Sequence, residues 1–415
     1  MKADVVILGA GIVGVSIACH LRQRGRSVIL VDPTGVGRGA SFGNAGLLER
    51  SSFLPISCPR EMVDLVKYAS NRLPSVRYRP SYLPRLLPWL AQYWWHSKAE
   101  RLWSIAQSMR PLLDCSLTEH RLLCEAAGIT PDIRADGWLD LFRSDTALKA
   151  AKAEATQLAH FGIPHAILDR GEVKQRLPSL QGDFAGAVHW HDSASIADPH
   201  KVTAAYGELA VQRGADIVTA KALRLDRNGN GWTVQLDSAQ VQAAAVVVAM
   251  GAASNDICAS LGWRFPLVAK RGYHMHYDKP KSLDLPLPVI DMESGFVLTP
   301  TDRGIKLTTG IEFAEMGTAP SFAQLEMAER AARKILPFGA RMYEQPWYGY
   351  RPCLPDMRPA IGEARDRKGL WFALGHAHLG LTLGPATGKL LAQMMCGEAT
   401  FMNPATFDPN RFRRR

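Results

Sequence analysis

Residues 5–14 read VVILGAGIVG, and this stretch decides the fold of the N-terminal part of the chain. Its first four residues form an unbroken apolar run, which is typical of a strand buried on both faces. Residues 15–24 continue with a helical pattern that Gly25 can end, and a second apolar run at residues 27–31 leads to Asp32. The sequence therefore predicts a strand, a glycine-rich turn, a helix and a second buried strand.

Each glycine of this turn has a chemical reason. Gly9 permits the tight turn, Gly11 lets the backbone approach a pyrophosphate, and Gly14 lets the helix pack close to the strand. The start of the helix offers amide hydrogens and its positive dipole end to phosphates. Asp32 follows the last glycine by eighteen residues, can bind both ribose hydroxyls and would repel a 2′-phosphate, which argues against NADP. We predict a Rossmann-like dinucleotide site; the alternative is a glycine-rich turn in another α/β protein.

The chain leaves this unit early, and the early exit bears on which dinucleotide it binds. Residues 41–46, SFGNAG, form a second loop of small residues shortly after the second strand. A dehydrogenase that uses free NAD would continue the parallel sheet through further βα units at this point. Residues 55–88 instead contain six prolines. This exit favours FAD over NAD.

Later strands indicate that the chain returns to the nucleotide-binding sheet. A strand at residues 215–219, a hairpin turn at residues 228–231 and an apolar strand at residues 244–249 suggest one return. A buried strand at residues 369–374 and a helix at residues 385–395 suggest another. We predict an α/β protein with a discontinuous Rossmann-like FAD-binding domain and a second α+β substrate-binding domain built on an antiparallel sheet. The predicted pieces are residues 1–55, 196–262 and 346–415 for the first domain and residues 56–195 and 263–345 for the second.

Composition narrows the class of protein. A chain of 415 residues with 47% apolar and 21% charged residues is typical of a globular protein of two or three domains. Seven cysteines without a CxxC pair indicate free thiols in a reducing compartment, so we expect a cytoplasmic protein. The net charge of +10 suits an anionic substrate or anionic lipid, and no nucleic-acid-binding motif accompanies it. We therefore expect no nucleic-acid partner.

Two segments of the second domain stand out, an aromatic cluster and a long helical pattern. The first, at residues 83–95, carries Trp89, Trp94 and Trp95. These tryptophans either pack in the core or make a peripheral contact with the inner face of the membrane, where electrons pass to a quinone. The second segment, at residues 102–127, contains Pro111, where we expect a kink or a break.

Three His-x-His pairs raise the question of a metal. Alternate residues of a strand share a face, so each pair is able to contribute two ligands. No acid or cysteine at ligand spacing accompanies them, and we predict no metal site. The pairs are His189 with His191, His274 with His276, and His376 with His378.

Four motifs together give the chain a specific resemblance. They are GAGIVG with Asp32, the SFGNAG loop, VVVAMGAAS, and the pair GYRPCLPDMRPAIG and GHAHLGLTLGPATG, which span residues 4–388. The chain resembles the FAD-dependent amino-acid oxidoreductases, a family that includes D-amino-acid oxidase, glycine oxidase, sarcosine oxidase and the bacterial D-amino-acid dehydrogenases. It departs from the family at Asp32, where members often have Glu, and at Met250, where they often have Thr.

The resemblance implies FAD and assigns residues to it. Relatives that attach flavin covalently use a His or a Cys at positions that hold Gly43 and Gly349 here, so we predict non-covalent FAD. The glycine turn would bind the pyrophosphate, Asp32 the ribose, and residues 380–382 the pyrimidine end of the flavin. The implied cofactor residues are Gly9, Gly11, Ile12, Val13, Gly14, Asp32, Ser41, Asn44, Ala45, Gly46, Leu47, Leu223, Gly251, Gly380, Leu381 and Thr382.

The resemblance also implies a reaction, hydride transfer from the α-carbon of an amino acid to flavin N5. Arg351 matches the arginine that binds the substrate carboxylate in the family, and the implied catalytic residues are Arg351, Tyr273, Tyr350 and His376. Such a step can run on orientation alone, without a dedicated base. We expect a D-amino acid, with D-proline or cis-4-hydroxy-D-proline first, and a quinone or another acceptor that is not oxygen. The alternatives are a glycine or sarcosine oxidase that makes hydrogen peroxide, and a flavin-binding subunit of a larger complex.

Overall fold

The computed structural model describes residues 1–129, 133–159 and 161–413. Its strands are β1 (Lys2–Leu8), β2 (Val28–Asp32), β3 (Leu47–Leu48), β4 (Val76–Tyr78), β5 (Ile133–Arg134), β6 (Trp138–Phe142), β7 (His165–Asp169), β8 (Gly186–Trp190), β9 (Ala194–Ile196), β10 (Asp216–Thr219), β11 (Ala222–Asn228), β12 (Gly231–Leu236), β13 (Gln240–Val248), β14 (Val268–Tyr277), β15 (Val289–Asp291), β16 (Phe296–Thr301), β17 (Gly304–Thr308), β18 (Ile311–Phe313), β19 (Trp347–Cys353), β20 (Ala360–Glu363) and β21 (Leu370–Leu374). Its α-helices are α1 (Ile12–Gln23), α2 (Met62–Ala69), α3 (Leu83–His96), α4 (Ala99–Ala126), α5 (Asp145–Ala159), α6 (Arg170–Arg176), α7 (Pro199–Gln212), α8 (Ser254–Cys258), α9 (Ala323–Ala332) and α10 (Gly380–Met395).

The first sheet contains the glycine-rich turn and runs in the order β10-β2-β1-β13-β12-β11, with β21 pairing to β13 and β20 to β21. Strands β10, β2, β1, β13 and β21 are parallel to their neighbours in this series. Alternate residues of β1 enter two different cores: Val5 and Ile7 pack with α1, whereas Val6 and Leu8 pack on the other face. The unbroken apolar run of β1 is therefore explained by burial on both faces.

The second sheet is mostly antiparallel and runs in the order β4-β18-β14-β17-β16-β15-β6-β8-β7, with β19 pairing along β14. One face is covered by α9, whose Leu325 and Ala328 share a core with Leu298 and Leu307. We call the opposite face the inner face, because the loop that follows β2 docks on it. The two sheets confirm the predicted α/β class with a second, antiparallel-built region.

The strands of the first sheet come from three separated parts of the chain, residues 2–32, 216–248 and 360–374. The proposed domain boundaries themselves stay a prediction. Strand β19 lies after the proposed boundary at residue 346 but pairs with β14 in the second sheet. A small third sheet, β3-β9-β5, joins the segment after β2 to the segments before β6 and α7.

Two sequence predictions about helices need correction. Helix α4 continues through Pro111, so the expected break is absent and the alternative of a kink stays a prediction; packing of its long buried stripe outweighs one missing backbone hydrogen bond. Helix α10 begins at Gly380 rather than at residue 385, so Pro385 lies inside it. Pro385 has no amide hydrogen for the carbonyl oxygen of Leu381 four residues earlier, and His120 Nε2 contacts that oxygen at 2.8 Å instead.

Candidate active site

The glycine turn lies where β1 meets α1, and its geometry fits a pyrophosphate. A Cβ on Gly9, whose φ is 103°, would collide with the carbonyl oxygen of Ala249, and one on Gly14 would collide with that of Gly9. Around Gly11 the nearest atom to such a Cβ is Ser41 Oγ, at 3.5 Å. Gly9 and Gly14 are thus required by packing, while Gly11 leaves the backbone at the start of α1 open to a ligand.

Asp32 ends β2 beside this turn. Its Oδ2 accepts a hydrogen bond from the Ala10 amide at 3.0 Å, and its Oδ1 accepts from the amide and the hydroxyl of Thr34, both at 2.9 Å. An ionised carboxylate has about four lone-pair sites, so this arrangement leaves room for a ribose hydroxyl. Leu223 lies at the irregularity that opens β11 and is 54% exposed, three residues after Ala220, whose amide donates to the Asp32 carbonyl.

Residues 41–47 form the loop that joins both sheets, and we call it the cofactor loop. At its start, Ser41 Oγ accepts a hydrogen bond from the Ile12 amide at 3.0 Å, which ties the loop to the first turn of α1. At its end, the Gly46 carbonyl accepts from the Ile196 amide at 2.6 Å. Asn44 Oδ1 accepts from the Gly46 amide at 2.7 Å, and this bond stabilises the turn between the two ends.

Three successive carbonyl oxygens of the cofactor loop meet three side chains of the inner face. His274 Nδ1, on β14, lies 3.3 Å from the Gly43 oxygen; Lys306 Nζ, on β17, donates to Asn44 at 2.6 Å; and Thr299 Oγ1, on β16, donates to Ala45 at 2.8 Å. Burial lowers the pKa of Lys306 to about 8. The second sheet therefore fixes the backbone of the loop, a role that no motif predicted for these three residues.

The first turn of α10 also reaches the loop. Thr382 Oγ1 accepts a hydrogen bond from the Glu49 amide at 3.0 Å and donates to the Leu47 carbonyl at 3.3 Å. The first turn of α10 contains Gly380, Leu381 and Thr382. Because Thr382 contacts the loop, the positive dipole end of the helix lies beside it. Two predicted residues remain: Val13 lies in the first turn of α1, and Gly251 follows β13 with a φ of 56°.

Arg351 lies on β19 and extends over β14. Lys270 is its partner in the strand register, and a Cβ on Gly272, two residues further along the same face of β14, would collide with the Arg351 guanidinium. The absence of a side chain at Gly272 lets the guanidinium cross the strand, where it donates to the carbonyl oxygens of Gly310 at 2.9 Å and Thr309 at 3.1 Å. These bonds fix the plane of the guanidinium and leave further N–H groups for a ligand.

The structure does not bring Tyr273 and Tyr350 together with Arg351. Successive residues of a strand point to opposite faces, and the register pairs Tyr350 with Arg271 and Tyr273 with Tyr348 on the face opposite to Arg351. There the Tyr273 hydroxyl donates to Glu312, and Arg271 Nη2 lies 3.4 Å from the Tyr350 hydroxyl. Both tyrosines therefore belong to a polar cluster on the face of the second sheet that is opposite to the inner face.

His376, the fourth predicted catalytic residue, is buried beside α10. Its Nε2 lies 3.0 Å from Thr387 Oγ1, and burial lowers its pKa to about 4, so the ring is neutral at pH 7. Its catalytic role stays a prediction. Within residues 1–129, 133–159 and 161–413, no three His, Cys, Asp or Glu side chains converge as metal ligands.

Three titratable residues near Arg351 are not among the predicted site residues; Glu49 and Asp140 belong to no motif, and the sequence suggests His378 only as half of a possible metal-binding pair. Glu49 directly follows β3, Asp140 lies on β6, and His378 precedes α10. Burial raises the pKa of Glu49 to about 7, and the charge of Asp140 adds to this shift while that of Arg351 opposes it. Burial also raises the pKa of Asp140 to about 7, although the indoles of Trp190 and Trp138 donate hydrogen bonds to it.

The chain is similar to known proteins over almost its whole length. The model of the family described as "FAD dependent oxidoreductase" matches residues 4–394. The chain is 31% identical to a D-amino-acid oxidase of Bradyrhizobium diazoefficiens, over 98% of each protein. It is 27% identical to a D-amino acid dehydrogenase of Neisseria meningitidis, over 95% of this chain and 96% of that one.

Solved structures show the same fold. Glycine oxidase from Geobacillus kaustophilus superposes with a TM-score of 0.77 at 22% identity, over 99% of both chains. L-proline dehydrogenase from P. horikoshii superposes with a TM-score of 0.73 at 21% identity, over 99% of this chain and 98% of that one. No helix in the described part of this chain is both long enough and apolar enough to cross a membrane.

Proposed function

The chain belongs to the family of FAD-dependent oxidoreductases, and on this premise we propose that it oxidises the α-amine of a D-amino acid to an imino acid. The observation that carries the proposal is the position of Arg351 on the inner face, the same face that holds the cofactor loop. A guanidinium with a fixed plane binds a carboxylate by two parallel hydrogen bonds and so sets the position of the adjacent α-carbon.

The residues of the chain would hold the FAD. The glycine turn would bind the pyrophosphate, Asp32 would bind the ribose, and the cofactor loop with the first turn of α10 would line the flavin ring. The positive end of α10 would stabilise negative charge on the part of the ring beside it. When bound, FAD supplies the two-electron acceptor for the reaction.

The substrate that we propose is D-proline or cis-4-hydroxy-D-proline. The D configuration rests on the names of the D-amino-acid oxidase and dehydrogenase relatives. An anaerobic screen tests both points: amino acids of both configurations, including the prolines, glycine and sarcosine, are mixed with the holoenzyme and the loss of the visible absorbance of oxidised FAD is followed. We expect fastest loss with the D-prolines. Faster loss with linear D-amino acids, glycine or sarcosine would overturn the choice of proline.

We propose that the electron acceptor is not oxygen. In air, the holoenzyme should then turn over slowly and release little hydrogen peroxide, and an artificial acceptor or a soluble quinone should raise the rate. Hydrogen peroxide formed in step with substrate consumption would identify an oxidase of the glycine or sarcosine type instead. Holoenzyme whose FAD no amino acid reduces would point to a subunit that works only inside a larger complex.

A surface built from α2 and α3 supports a membrane quinone as the acceptor. Helix α2 buries no residue, and apolar side chains of the two helices and the preceding segment are exposed: Ile56, Met62, Val63, Val66, Leu87, Trp94 and Trp95. Arg60 stacks on Trp94, and Lys98 and Arg101 stack on Trp95. Residues 56–101 carry eight Lys and Arg against three Asp and Glu. An apolar surface with basic neighbours suits an anionic bilayer.

Co-sedimentation with vesicles tests this contact. The wild type should bind vesicles that contain phosphatidylglycerol more strongly than vesicles of phosphatidylcholine alone. The double variant W94S/W95S should lose most of this binding, whereas V211S, which changes an exposed apolar residue on α7, should not. Equal sedimentation of W94S/W95S and the wild type would contradict the proposal.

A further inference from the structure

Glu49 occupies a position that the proposed function leaves without a role. Its backbone amide is held by Thr382 in the first turn of α10, so its place relative to the cofactor loop is fixed. Its side chain is only 16% exposed and accepts a hydrogen bond from Ser52 Oγ at 2.5 Å. The backbone of Glu49 is therefore fixed beside the first turn of α10, and its carboxylate lies in a partly closed space.

The groups that face Glu49 come from several elements. His378 Nε2, from the turn before α10, lies 3.8 Å from Glu49 Oε2. Burial and the charges of Arg351 on β19 and Lys270 on β14 lower the pKa of His378 to about 3, so this ring stays neutral. The charge of Asp140 on β6 also acts on Glu49 and raises the pKa of its carboxyl.

Two further charged residues, Arg50 and Glu154, lie nearby but act on other groups. Arg50, next in sequence to Glu49, forms ion pairs with Asp114 and Asp192. Glu154 on α5 acts on Asp140 and raises its pKa further. The two groups that approach the Glu49 carboxylate most closely, Ser52 and His378, are therefore neutral, and Arg351 acts on it from across the site.

We propose that Glu49 binds the α-ammonium group of the substrate and takes up one of its protons, while Arg351 holds the carboxylate. This inference rests on the proposed function. An amino acid carries its ammonium and carboxylate groups on one carbon, and a site with one carboxylate and one guanidinium complements that charge pattern.

The proton transfer is needed before the oxidation. An N–H bond of the ammonium breaks and an O–H bond forms on Glu49, which leaves a lone pair on the nitrogen. That lone pair becomes the second bond of C=N as the α-hydrogen leaves with its two electrons to FAD. A carboxylate whose pKa is raised to about 7 accepts this proton more readily at neutral pH than an exposed glutamate does.

Binding of two unreactive ligands tests the inference without any turnover. α-Aminoisobutyrate has an amine but no α-hydrogen, and isobutyrate has the same shape without the amine. Binding to the holoenzyme is followed by the change in the visible spectrum of FAD between pH 6 and 8. Because the ammonium requires ionised Glu49, α-aminoisobutyrate should bind about tenfold more tightly at pH 8 than at pH 6. Isobutyrate, an anion, should bind more weakly as the pH rises.

Three variants test whether Glu49 causes these two changes of affinity with pH, which we call the two slopes. In E49Q both slopes should disappear, while the fold and bound FAD are retained because Gln can still accept the Ser52 hydrogen bond. In D140N both slopes should remain, with midpoints at lower pH, since the charge of Asp140 raises the pKa of Glu49. Glu61, an exposed residue directly before α2, is the matched control, and E61Q should behave as the wild type.

A second measurement uses the wild type alone, in case E49Q does not fold. Binding of α-aminoisobutyrate in weak buffer should release close to one proton per site at pH 6 and almost none at pH 8. Wild-type binding that does not vary with pH, or E49Q that keeps the wild-type slopes, would overturn the role of Glu49. Binding of neither ligand by the wild type would instead contradict the proposed function itself.

Discussion

At the scale of single residues, the site is organised around the Arg351 guanidinium. It crosses β14 over Gly272 and is held by two backbone carbonyl groups, so the strand pairing positions it rather than a neighbouring acid. The orientation of the guanidinium therefore belongs to the fold and does not require a bound substrate.

Replacement of Arg351 by Ala should weaken substrate binding and leave FAD in place. A hydrogen bond to a charged group contributes about 1.5–3 kcal/mol, so the substrate concentration needed for half-maximal flavin reduction should rise by roughly 10- to 150-fold. Tyr350 lies next in sequence on the opposite face, and Y350F is the matched control, for which we expect a change below about twofold. Equal effects of R351A and Y350F would contradict the assignment of the two faces.

Residues that carry a motif were predictable, and residues that meet through long-range pairing were not. The type and spacing of Gly9, Gly14 and Asp32 identify a nucleotide turn without any structure. The resemblance implies Tyr350 as a site residue, but the alternation of side chains along β19 sends it to the face opposite to Arg351. Glu49 is a single acid with no motif, and only the docking of the cofactor loop brings it near Arg351.

At the scale of elements, the start of α10 depends on a residue of α4. Pro is favoured in the first turn of a helix, so the sequence alone placed the start of α10 at Pro385. The helix extends five residues further back because His120 contacts the carbonyl oxygen that Pro385 leaves without a donor. A side chain that is distant in sequence compensates for the proline, and no local pattern reports it.

Replacement of His120 by Phe should destabilise this turn. The variant leaves the Leu381 carbonyl buried without a partner, which costs about 1–3 kcal/mol in the free energy of unfolding. Because the turn lines the flavin site, FAD should also dissociate more readily. Y206F, which removes the neighbouring hydroxyl but keeps the imidazole, is the control and should lose less. Urea unfolding of both holoproteins measures the difference; H120F as stable as the wild type would contradict this role.

The cofactor loop also packs closely against Trp347 on β19. Trp347 stacks on His274 with ring centroids 4.9 Å apart, and a Cβ on either Gly43 or Gly349 would overlap the Trp347 ring. G43A should therefore lower the free energy of unfolding by about 1–3 kcal/mol and reduce the FAD content of the purified protein. Gly39, in the same segment, has open space around it, and G39A should leave both unchanged. The ratio of FAD to protein in the purified variants checks this prediction.

At the scale of the whole molecule, the cofactor loop bridges α1, which packs on the first sheet, and the inner face of the second sheet. The cofactor loop is tied to α1, to β9, to three strands of the second sheet and to α10, so the flavin site forms only when all of these elements have assembled. The fold class and the return of the chain to the first sheet were predictable from alternating strand and helix patterns. The identity of the strands that hold the loop depends on sheet order, which those patterns do not encode.

The way in which FAD is attached is also a property of this assembly. The resemblance implies that Gly43 and Gly349 replace the His or Cys of relatives with covalent flavin, and both glycines lie against the Trp347 ring. We expect that acid precipitation of the protein leaves all of the FAD in the supernatant. Flavin that stays with the precipitated protein would show a covalent bond, and Cys353, buried near Arg351, would be the first residue to examine by mass spectrometry.

The central claim is that Arg351 and the cofactor loop form a site for oxidation of a D-amino acid. The most direct test is the rate at which the two enantiomers of proline reduce the FAD of the holoenzyme without oxygen, in the wild type and in R351A. We predict rapid loss of the visible FAD absorbance with D-proline, little with L-proline, and a steep loss of apparent affinity in R351A. Reduction by L-proline as fast as by D-proline, or an unchanged response in R351A, would contradict the claim.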